Sequence, residues 1–346
     1  MPRSTAKLGA ALGAVALSMA VASAPAQSPA EFYKGKTVTL IVGSGAGGGY
    51  DTYSRLFVRH FYKHIPGQPN IVIQNMPGAS GLTAINHVAN KAVRDGTLIS
   101  DAYSTMPLYP LLDGTNAMFD SFQLNWLGSI SRATSVCVAW HTTPFKTLDD
   151  AAAKTMRLSS TGATGWRVIL PRMYNIVGGT KFDVIMGYDT GGDYLAIEKG
   201  EVEGSCTTYD TLMATQLGWI QEKKITFIGQ FGLEPLPALA GVQMGLDRIK
   251  DPADRAAAEL VLSQQETGRP YLMPPGVPAD RLKAMREAFA ATVKDPEFLA
   301  EAKRANLMVD PLTGEQMDVL LKKMYAMPKP TVDHAKQILE RASAAK

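Results

Sequence analysis

The chain has 346 residues, of which 46% are apolar and 19% are charged, and its mean hydropathy is −0.04. This composition is typical of a globular protein and excludes a disordered chain, a collagen-like fibre and a small disulfide-rich scaffold. The formal charge is +3 and becomes nearly neutral without Arg3 and Lys7, so charge gives no reason to expect nucleic-acid or membrane-surface partners.

The N-terminal segment has the pattern of a cleaved export signal. Arg3 and Lys7 precede an uncharged apolar run over residues 8–21, and the small residues Ala24-Pro25-Ala26 follow. The run is shorter than the roughly 20 residues that span a membrane, although a membrane anchor remains the alternative. The pattern predicts a signal peptide over residues 1–26 and a mature protein in the periplasm.

The chain has two cysteines, Cys137 and Cys206. An oxidising compartment would permit a disulfide between them, and two separate buried thiols are the alternative. Their spacing matches no metal or redox motif.

The first set of predicted elements lies within residues 36–130, where apolar runs alternate with helical patterns. Val38–Val42 is a β-branched run that ends in glycines, and the apolar residues of the next stretch recur at helical spacing. The patterns predict strands at 38–42, 71–73, 97–103 and 126–130, and helices at 50–64 and 82–92. This alternation is typical of a parallel sheet covered by helices.

A second set follows a helix start of the capping-box type, Thr147-x-x-Asp150. Apolar runs predict strands at 156–160, 182–188, 202–207 and 225–231. The last quarter of the chain is helical by its apolar spacing, with starts at Pro278, Asp295-Pro296-Glu297 and Thr313-x-x-Gln316. A break at Pro328-Lys329-Pro330 precedes a short final helix.

The loop after the first predicted strand carries the sharpest motif. Gly43, Gly45 and Gly48 fit the dinucleotide fingerprint G-x-G-x-x-G between a strand and a helix. The next strand, however, ends Ile73-Gln74-Asn75 without the acid that would bind a ribose, and no Lys-Ser or Lys-Thr follows the glycines as in a P-loop. What remains is a glycine backbone open to a ligand at a helix N-terminus, which favours an anion; a tight strand–helix turn is the alternative.

Two more loops share this chemistry of hydroxyls and glycines. They are Ser159–Gly165 and Tyr188–Asp193, and each follows a predicted strand. Because ligands of open α/β sheets bind outside the carboxyl ends of the strands, the three loops together predict one crevice for a small anion.

Few residue patterns indicate catalysis or a metal. His60 and His64 have a metal-capable spacing, but no third ligand is evident in the sequence, so neither a metal nor a cofactor is predicted. Cys137 and His141 would lie about 13 Å apart on a strand, too far for a nucleophile and its base.

The order of these segments resembles the extracytoplasmic receptors of tripartite tricarboxylate transporters, the TctC or Bug family. The resemblance runs from about residue 34 to 325, and its order and spacing are more specific than any one motif. The matching segments are Lys36–Val42, Gly47–Asp51, Asn75–Ala79, Arg94–Leu98, Leu158–Ser160, Gly187–Tyr188, Glu198–Val202 and Pro274–Pro278.

The resemblance implies an α/β, two-lobed periplasmic binding protein fold of the type II-like class, with mixed sheets flanked by helices and a cleft between the lobes. Lobe I is expected at 31–135 plus 270–346 and lobe II at 136–269, with strands at 136–141 and 269–273 crossing between them. It also implies a monomer that closes on a small carboxylate and delivers it to large and small membrane permease subunits. A di- or tricarboxylate, an aromatic acid or an amino acid would fit.

Carried over by position, the loops Ser44–Asp51 and Ser159–Thr164 are expected to hold the carboxylate. The candidate substrate-binding residues are Ser44, Gly45, Gly47, Gly48, Tyr50, Asp51, Ser104, Ser160, Thr161, Gly162, Thr164, Trp166, Arg167, Tyr188, Asp189, Thr190 and Asp210. Trp166 is expected to line the cleft, and Arg167 either contacts a carboxylate or lies on the surface. Asp189 and Asp210 either meet an ammonium group of the solute or have capping and turn roles.

Two other functions remain open from the residues. An enzyme on the same fold, a transferase or lyase acting on a small acid, would need a tuned acid–base group, for which Asp51 and Asp189 are the candidates. A solute sensor that docks on a signalling receptor would need the same closed shape as a transport receptor.

Overall fold

The computed structural model describes Met1 and residues 27–160, 165–188 and 191–345. These residues form the following strands: β1 (Thr37–Val42), β2 (Asn70–Asn75), β3 (Leu98–Asp101), β4 (Asn125–Ser129), β5 (Ser135–Trp140), β6 (Met156–Ser160), β7 (Phe182–Met186), β8 (Gly204–Thr208), β9 (Ile225–Phe231), β10 (Pro270–Met273) and β11 (Leu312–Thr313). The predicted strand at 182–188 ends early because Gly187 turns the chain with φ +103°. Residues 2–26 of the predicted signal peptide lie outside the described residues.

Helices follow most of the strands and cover both sheets. They are α1 (Pro29–Tyr33), α2 (Gly49–Phe61), α3 (Leu82–Asn90), α4 (Tyr109–Leu112), α5 (Leu148–Ala153), α6 (Trp166–Val177), α7 (Gly192–Glu198), α8 (Tyr209–Thr215), α9 (Leu217–Gln221), α10 (Pro252–Ser263), α11 (Ala279–Thr292), α12 (Pro296–Arg304), α13 (Gly314–Tyr325) and α14 (Lys329–Ala344). No described helix is both long enough and apolar enough to cross a membrane.

The strands form two mixed sheets, as predicted. The first sheet has the order β11-β4-β10-β3-β1-β2, and the second has the order β7-β6-β8-β5-β9. In the first, β1 is parallel to β2 and β3, and β10 is antiparallel to β3 and β4. In the second, β6 is parallel to β7 and β8, and β5 is antiparallel to β8 and β9. The carboxyl ends of β1 and β3, and of β6 and β8, therefore open onto loops at one edge of their sheets.

Each sheet has its own apolar core. In the first, Tyr53, Phe57 and Phe61 recur every four residues along α2 and are buried against β1 and β10. The Phe57 ring lies 4.6 Å from that of Tyr271 on β10. In the second, the core lies between the strands and the helices α6, α10 and α14.

The chain passes between the sheets in two connectors, 130–134 and 264–269. They hydrogen-bond to each other, since Ile130 N–H donates to Arg269 O at 3.1 Å and Arg269 N–H donates to Ser131 O at 3.0 Å. The strands expected to cross do not: β5 lies wholly in the second sheet and β10 in the first. The lobe boundaries remain a prediction, and α14 packs on α6 and α10 beside the second sheet.

The two cysteines are joined in a disulfide. Cys137 on β5 and Cys206 on β8 are direct partners in the antiparallel register, with their Cα atoms 4.0 Å apart. The pairing that the sequence left open is therefore a cross-strand bridge within the second sheet.

Candidate functional site

Loops at the carboxyl ends of both sheets meet in a candidate cleft. Gly165, at the start of α6, lies so near the loop 78–81 that a Cβ atom there would be 3.4 Å from the Ser80 hydroxyl. Gly49, the first residue of α2, lies close to α8 of the second sheet. A Cβ atom on Gly49 would be 2.7 Å from Thr211 Oγ1. We call the loops 43–48 and 78–81 with Tyr103 the first-sheet face, and the ends of β6 and β8 with the start of α6 the second-sheet face.

The glycine loop of the first-sheet face has free space beside its backbone. Apart from the residues next to them in the chain, no described residue has an atom within 4 Å of where a Cβ atom on Gly45 or Gly47 would be, and Gly47 has φ +82°. Gly48 is the N-cap residue of α2, and no side-chain oxygen of the described residues caps this helix. The first N–H groups of α2 therefore have no capping side chain among the described residues, as the anion-site prediction requires.

Asp51 holds this loop in shape. Its carboxylate accepts from Gly47 N–H at 2.8 Å, from Arg55 Nε at 2.8 Å and from Asn75 Nδ2 at 2.9 Å. Burial alone would raise the pKa of Asp51, but these hydrogen bonds lower it below its ordinary value. All of these donors belong to the loop and its neighbours, so the carboxylate positions the backbone rather than pointing freely at a solute.

Asp101 also holds the glycine loop in shape, from the side of the first sheet. The sequence did not predict this role. Asp101 lies at the carboxyl end of β3 and accepts from Gly43 N–H at 3.0 Å and from the Ser54 hydroxyl at 2.8 Å. Ser54 Oγ in turn lies 2.9 Å from the Tyr271 hydroxyl. Burial raises the pKa of Asp101 to about 6. The signal in the sequence that could have indicated this role is a polar residue at the end of a buried strand.

Tyr50 and Ser104 join the glycine loop to the connectors. The Tyr50 hydroxyl accepts from Ser104 N–H at 2.9 Å and donates to Gly268 O at 3.2 Å. The Tyr50 ring lies 4.4 Å from that of Tyr103, which closes over Gly43 and Gly81. Ser104 and Ser44 are both mostly buried at the edge of this loop.

Asp210 is not free to meet a solute through both oxygens, because it forms a buried ion pair with Arg269. Arg269 Nε lies 2.9 Å from Asp210 Oδ2, and the guanidinium carbon lies 4.2 Å from the Tyr50 ring centre and 4.7 Å from that of Tyr53. Asp210 Oδ1 has no hydrogen-bond partner among the described residues. This cluster ties α8 of the second sheet to α2 of the first. Arg269 is its central residue, and the sequence did not predict it.

The second-sheet face is described in part. Ser160 ends β6 and is buried, and its carbonyl oxygen lies 3.4 Å from the N–H of the half-buried Tyr188. Gly165 is the N-cap residue of α6, and no side chain of the described residues caps this helix. Five of the predicted substrate-binding residues lie outside the described residues: Thr161, Gly162, Thr164, Asp189 and Thr190.

Trp166 and Arg167 are the first two residues of α6, and both side chains form hydrogen bonds within the protein. The Trp166 indole N–H donates to Ser135 Oγ at 2.7 Å, and its ring packs on the core of the second sheet. Arg167 Nε donates to Cys206 O at 3.2 Å, and Arg167 is paired with the buried Asp193. Trp166 is thus fixed against the sheet, and Arg167 is braced beside the cleft.

Solved structures share this architecture, although no family model and no curated protein matches the sequence. A TctC solute-binding protein from Polaromonas is 17% identical, with 89% of this chain and 99% of that chain covered and a TM-score of 0.62. The periplasmic binding protein BugD is 16% identical over 90% of this chain and 98% of its own, with a TM-score of 0.68. MatC from Rhodopseudomonas palustris, with bound malate, is 16% identical over 88% and 99%, with a TM-score of 0.63. The chain has the fold of these solute-binding proteins. The predicted resemblance is confirmed at the level of the fold.

The two histidines of metal-capable spacing lie away from the cleft, His60 in the last turn of α2 and His64 just after this helix. His60 Nε2 lies 2.6 Å from Glu301 and His64 Nε2 lies 2.7 Å from Asp295. His60, Asp295 and Glu297 are close enough to share an ion, but the Lys63 ammonium lies 2.7 Å from Asp295 and 2.6 Å from Glu297. Lys63 therefore already takes the cation's place between the carboxylates, and the cluster acts as an ion-pair network between α2 and α12.

Proposed function

We propose that the protein is an exported solute receptor that captures a small carboxylate by cleft closure for a tripartite tricarboxylate-type transporter. The supporting observation is the pair of helices α2 and α6, which have glycine N-cap residues, without side-chain caps among the described residues, on opposite faces of one cleft. The N–H groups of a helix N-terminus favour an anion, by about 0.3–1 kcal/mol when exposed and up to ~2 kcal/mol when partly buried.

Capture follows from the difference between the open and closed forms. The first-sheet face offers backbone N–H groups and space beside Gly45 and Gly47, so a carboxylate can bind there first. Closure then adds the groups of the second-sheet face. Because a solute shifts this equilibrium only through contacts made in the closed form, it must touch both faces. A closed shape of this kind is what the large and small permease subunits would recognise.

Binding without chemistry is favoured over turnover by the state of the two carboxyl groups nearest the loop. Asp51 accepts three hydrogen bonds from its own surroundings, and Asp101 lies beneath Gly43, bonded to Ser54. Neither is placed to exchange a proton with a solute. MatC, which shares the fold, holds malate, a small carboxylate.

Export to the periplasm is part of the proposal. The basic, apolar and small-residue pattern of residues 1–26 supports it, and so does the disulfide between Cys137 and Cys206, since such bonds persist in oxidising compartments. We expect the receptor to act as a monomer.

The test is thermal unfolding of the full chain against a panel of small carboxylates, after refolding from denaturant without reductant to remove co-purified solute. A solute at a hundred times its dissociation constant adds about 2.7 kcal/mol to the free energy of unfolding. Gly45→Val fills the free space of the loop and is expected to abolish the shift. Gly218→Val, at an exposed position on α9, is the matched control and keeps the shift.

Three outcomes separate the candidate functions. A shift with one acid, lost in Gly45→Val, supports the receptor. Chemical conversion of the bound acid supports the enzyme instead. No shift with any carboxylate contradicts the proposed function.

A further inference from the structure

Arg167 is braced from two sides on the second-sheet face. Its Nε donates to Cys206 O, at 3.2 Å, and its Nη2 pairs with Asp193 in the first turn of α7. Asp193 is 1% exposed, and its other carboxylate oxygen accepts from Gly191 N–H at 3.2 Å. The guanidinium is therefore positioned by a strand and a helix that flank the cleft.

One edge of this guanidinium is unused. Arg167 Nη1 has no hydrogen-bond partner among the described residues, and the side chain is 22% exposed. Its charge reaches the opposite face of the cleft: burial raises the pKa of Tyr103, and Arg167 is among the cations that lower it again. A positioned guanidinium with free N–H donors is well suited to bind a carboxylate.

Arg269, beside the same cleft, has a buried guanidinium. It is 3% exposed, it pairs with Asp210, and both Tyr50 and Tyr53 lie against it. Arg55, the other cation of the glycine loop, is directed at Asp51. Arg269 and Arg55 also leave Nη1 without a partner among the described residues, but Arg269 is buried and Arg55 lies beside the glycine loop of the first-sheet face. Of these three cations, Arg167 is the partly exposed one on the second-sheet face.

We propose that Arg167 makes the protein selective for solutes with two acid groups, one held at the start of α2 and the other at Arg167. The inference rests on the proposed function and names its substrate class. A diacid spans both faces, whereas a monoacid of the same length satisfies one of the two positions. A charge-assisted hydrogen bond contributes about 1.5–3 kcal/mol, which corresponds to roughly tenfold to 150-fold in affinity.

The test measures dissociation constants by calorimetry for length-matched acids, butyrate with succinate and hexanoate with adipate, on the refolded full chain. In the unmodified protein, at least one diacid is expected to bind ten times more tightly than its matched monoacid. Arg167→Met keeps the apolar stem and is expected to abolish this ratio, and Arg167→Lys to restore part of it. Arg157→Met removes the arginine of an exposed pair with Glu203 in the same sheet, and it leaves the ratio unchanged.

The outcomes are distinct. Equal affinity for monoacids and diacids, or an unchanged ratio in Arg167→Met, overturns the inference and leaves Arg167 as a brace between α6 and α7. If Arg167→Met does not fold, the unmodified protein and Arg167→Gln decide, because glutamine removes the charge but keeps a polar side chain, and a ratio that Arg167→Gln leaves intact also overturns the inference. Failure of every acid to bind the unmodified protein contradicts the proposed function itself.

Discussion

On the first-sheet face of the cleft, buried carboxylates tie the glycine loop to its own sheet, whereas within the second sheet buried hydroxyls are left over. Asp101 and Asp51 accept from Gly43 and Gly47, at 3.0 and 2.8 Å. Ser159 and Ser205 are direct partners in register on β6 and β8, and both are fully buried. Among the described residues, neither hydroxyl has a hydrogen-bond partner.

The two sheets therefore differ in whether their buried polar groups are already paired. The first-sheet loop is ordered by bonds already made in folding, so a solute does not have to order it. The second sheet is cross-linked by the disulfide between β5 and β8. In the proposed receptor, the first face would be ready for the solute, and the second would gain its contacts on closure.

Removing the carboxylate of Asp51 should break the ordered face. Asp51→Ala leaves the N–H of Gly47 and the side chains of Asn75 and Arg55 without their acceptor. We expect a loss of about 2–4 kcal/mol in the free energy of unfolding, measured with urea. Asp333→Ala, which removes an exposed pair with Lys329, is the control and should cost less than about 0.5 kcal/mol. Equal losses in the two variants would show that the Asp51 bonds do not order the loop.

Asp101 makes the first face sensitive to pH. Its folded pKa of about 6 lies above its ordinary value, so its stabilising contribution is complete below about pH 4 and is lost as the pH rises through 6. Asp101→Asn keeps an acceptor for Gly43 and a donor for Ser54. We therefore expect it to remove this decline and to be about 1–3 kcal/mol more stable than the unmodified protein at pH 7.

The measurement is urea unfolding at intervals between pH 4 and pH 8. Asp183→Asn, at an exposed position on β7, is the control and should follow the unmodified protein. A parallel pH profile in Asp101→Asn would mean that Asp101 stays ionised throughout this range.

Much of the fold could be predicted because its signals are local. The capping boxes at Thr147 and Thr313 form as the sequence indicated, and Asp295 caps α12 with Pro296 in its first turn. The prediction that the final helix is short was wrong, because α14 has 16 residues. The buried face of α14 includes Ala335 and Ala342, and alanines give only a weak apolar periodicity. The alanine-rich helix α10 was not predicted for the same reason.

The candidate site could be predicted only where its residues are neighbours in sequence. The glycine pattern points to Gly45, Gly48 and the start of α2. Arg269 and Asp210, by contrast, are 59 residues apart. Their pairing depends on the connector before β10 running beside α8, which no local pattern encodes.

The unmatched hydroxyls give the smallest expected effect and the sharpest contrast between the two sheets. Ser54 and Ser159 are equally buried serines, but Ser54 bonds to Asp101 and Tyr271. Ser54→Ala is expected to lose about 1–3 kcal/mol, because it leaves partners unsatisfied, whereas Ser159→Ala should stay within about 0.5 kcal/mol or gain stability. Thermal unfolding of both variants measures the difference. A loss above about 1 kcal/mol in Ser159→Ala would show that this hydroxyl is already bonded, and the contrast between paired hydroxyls beside the first sheet and unpaired ones in the second would fail there.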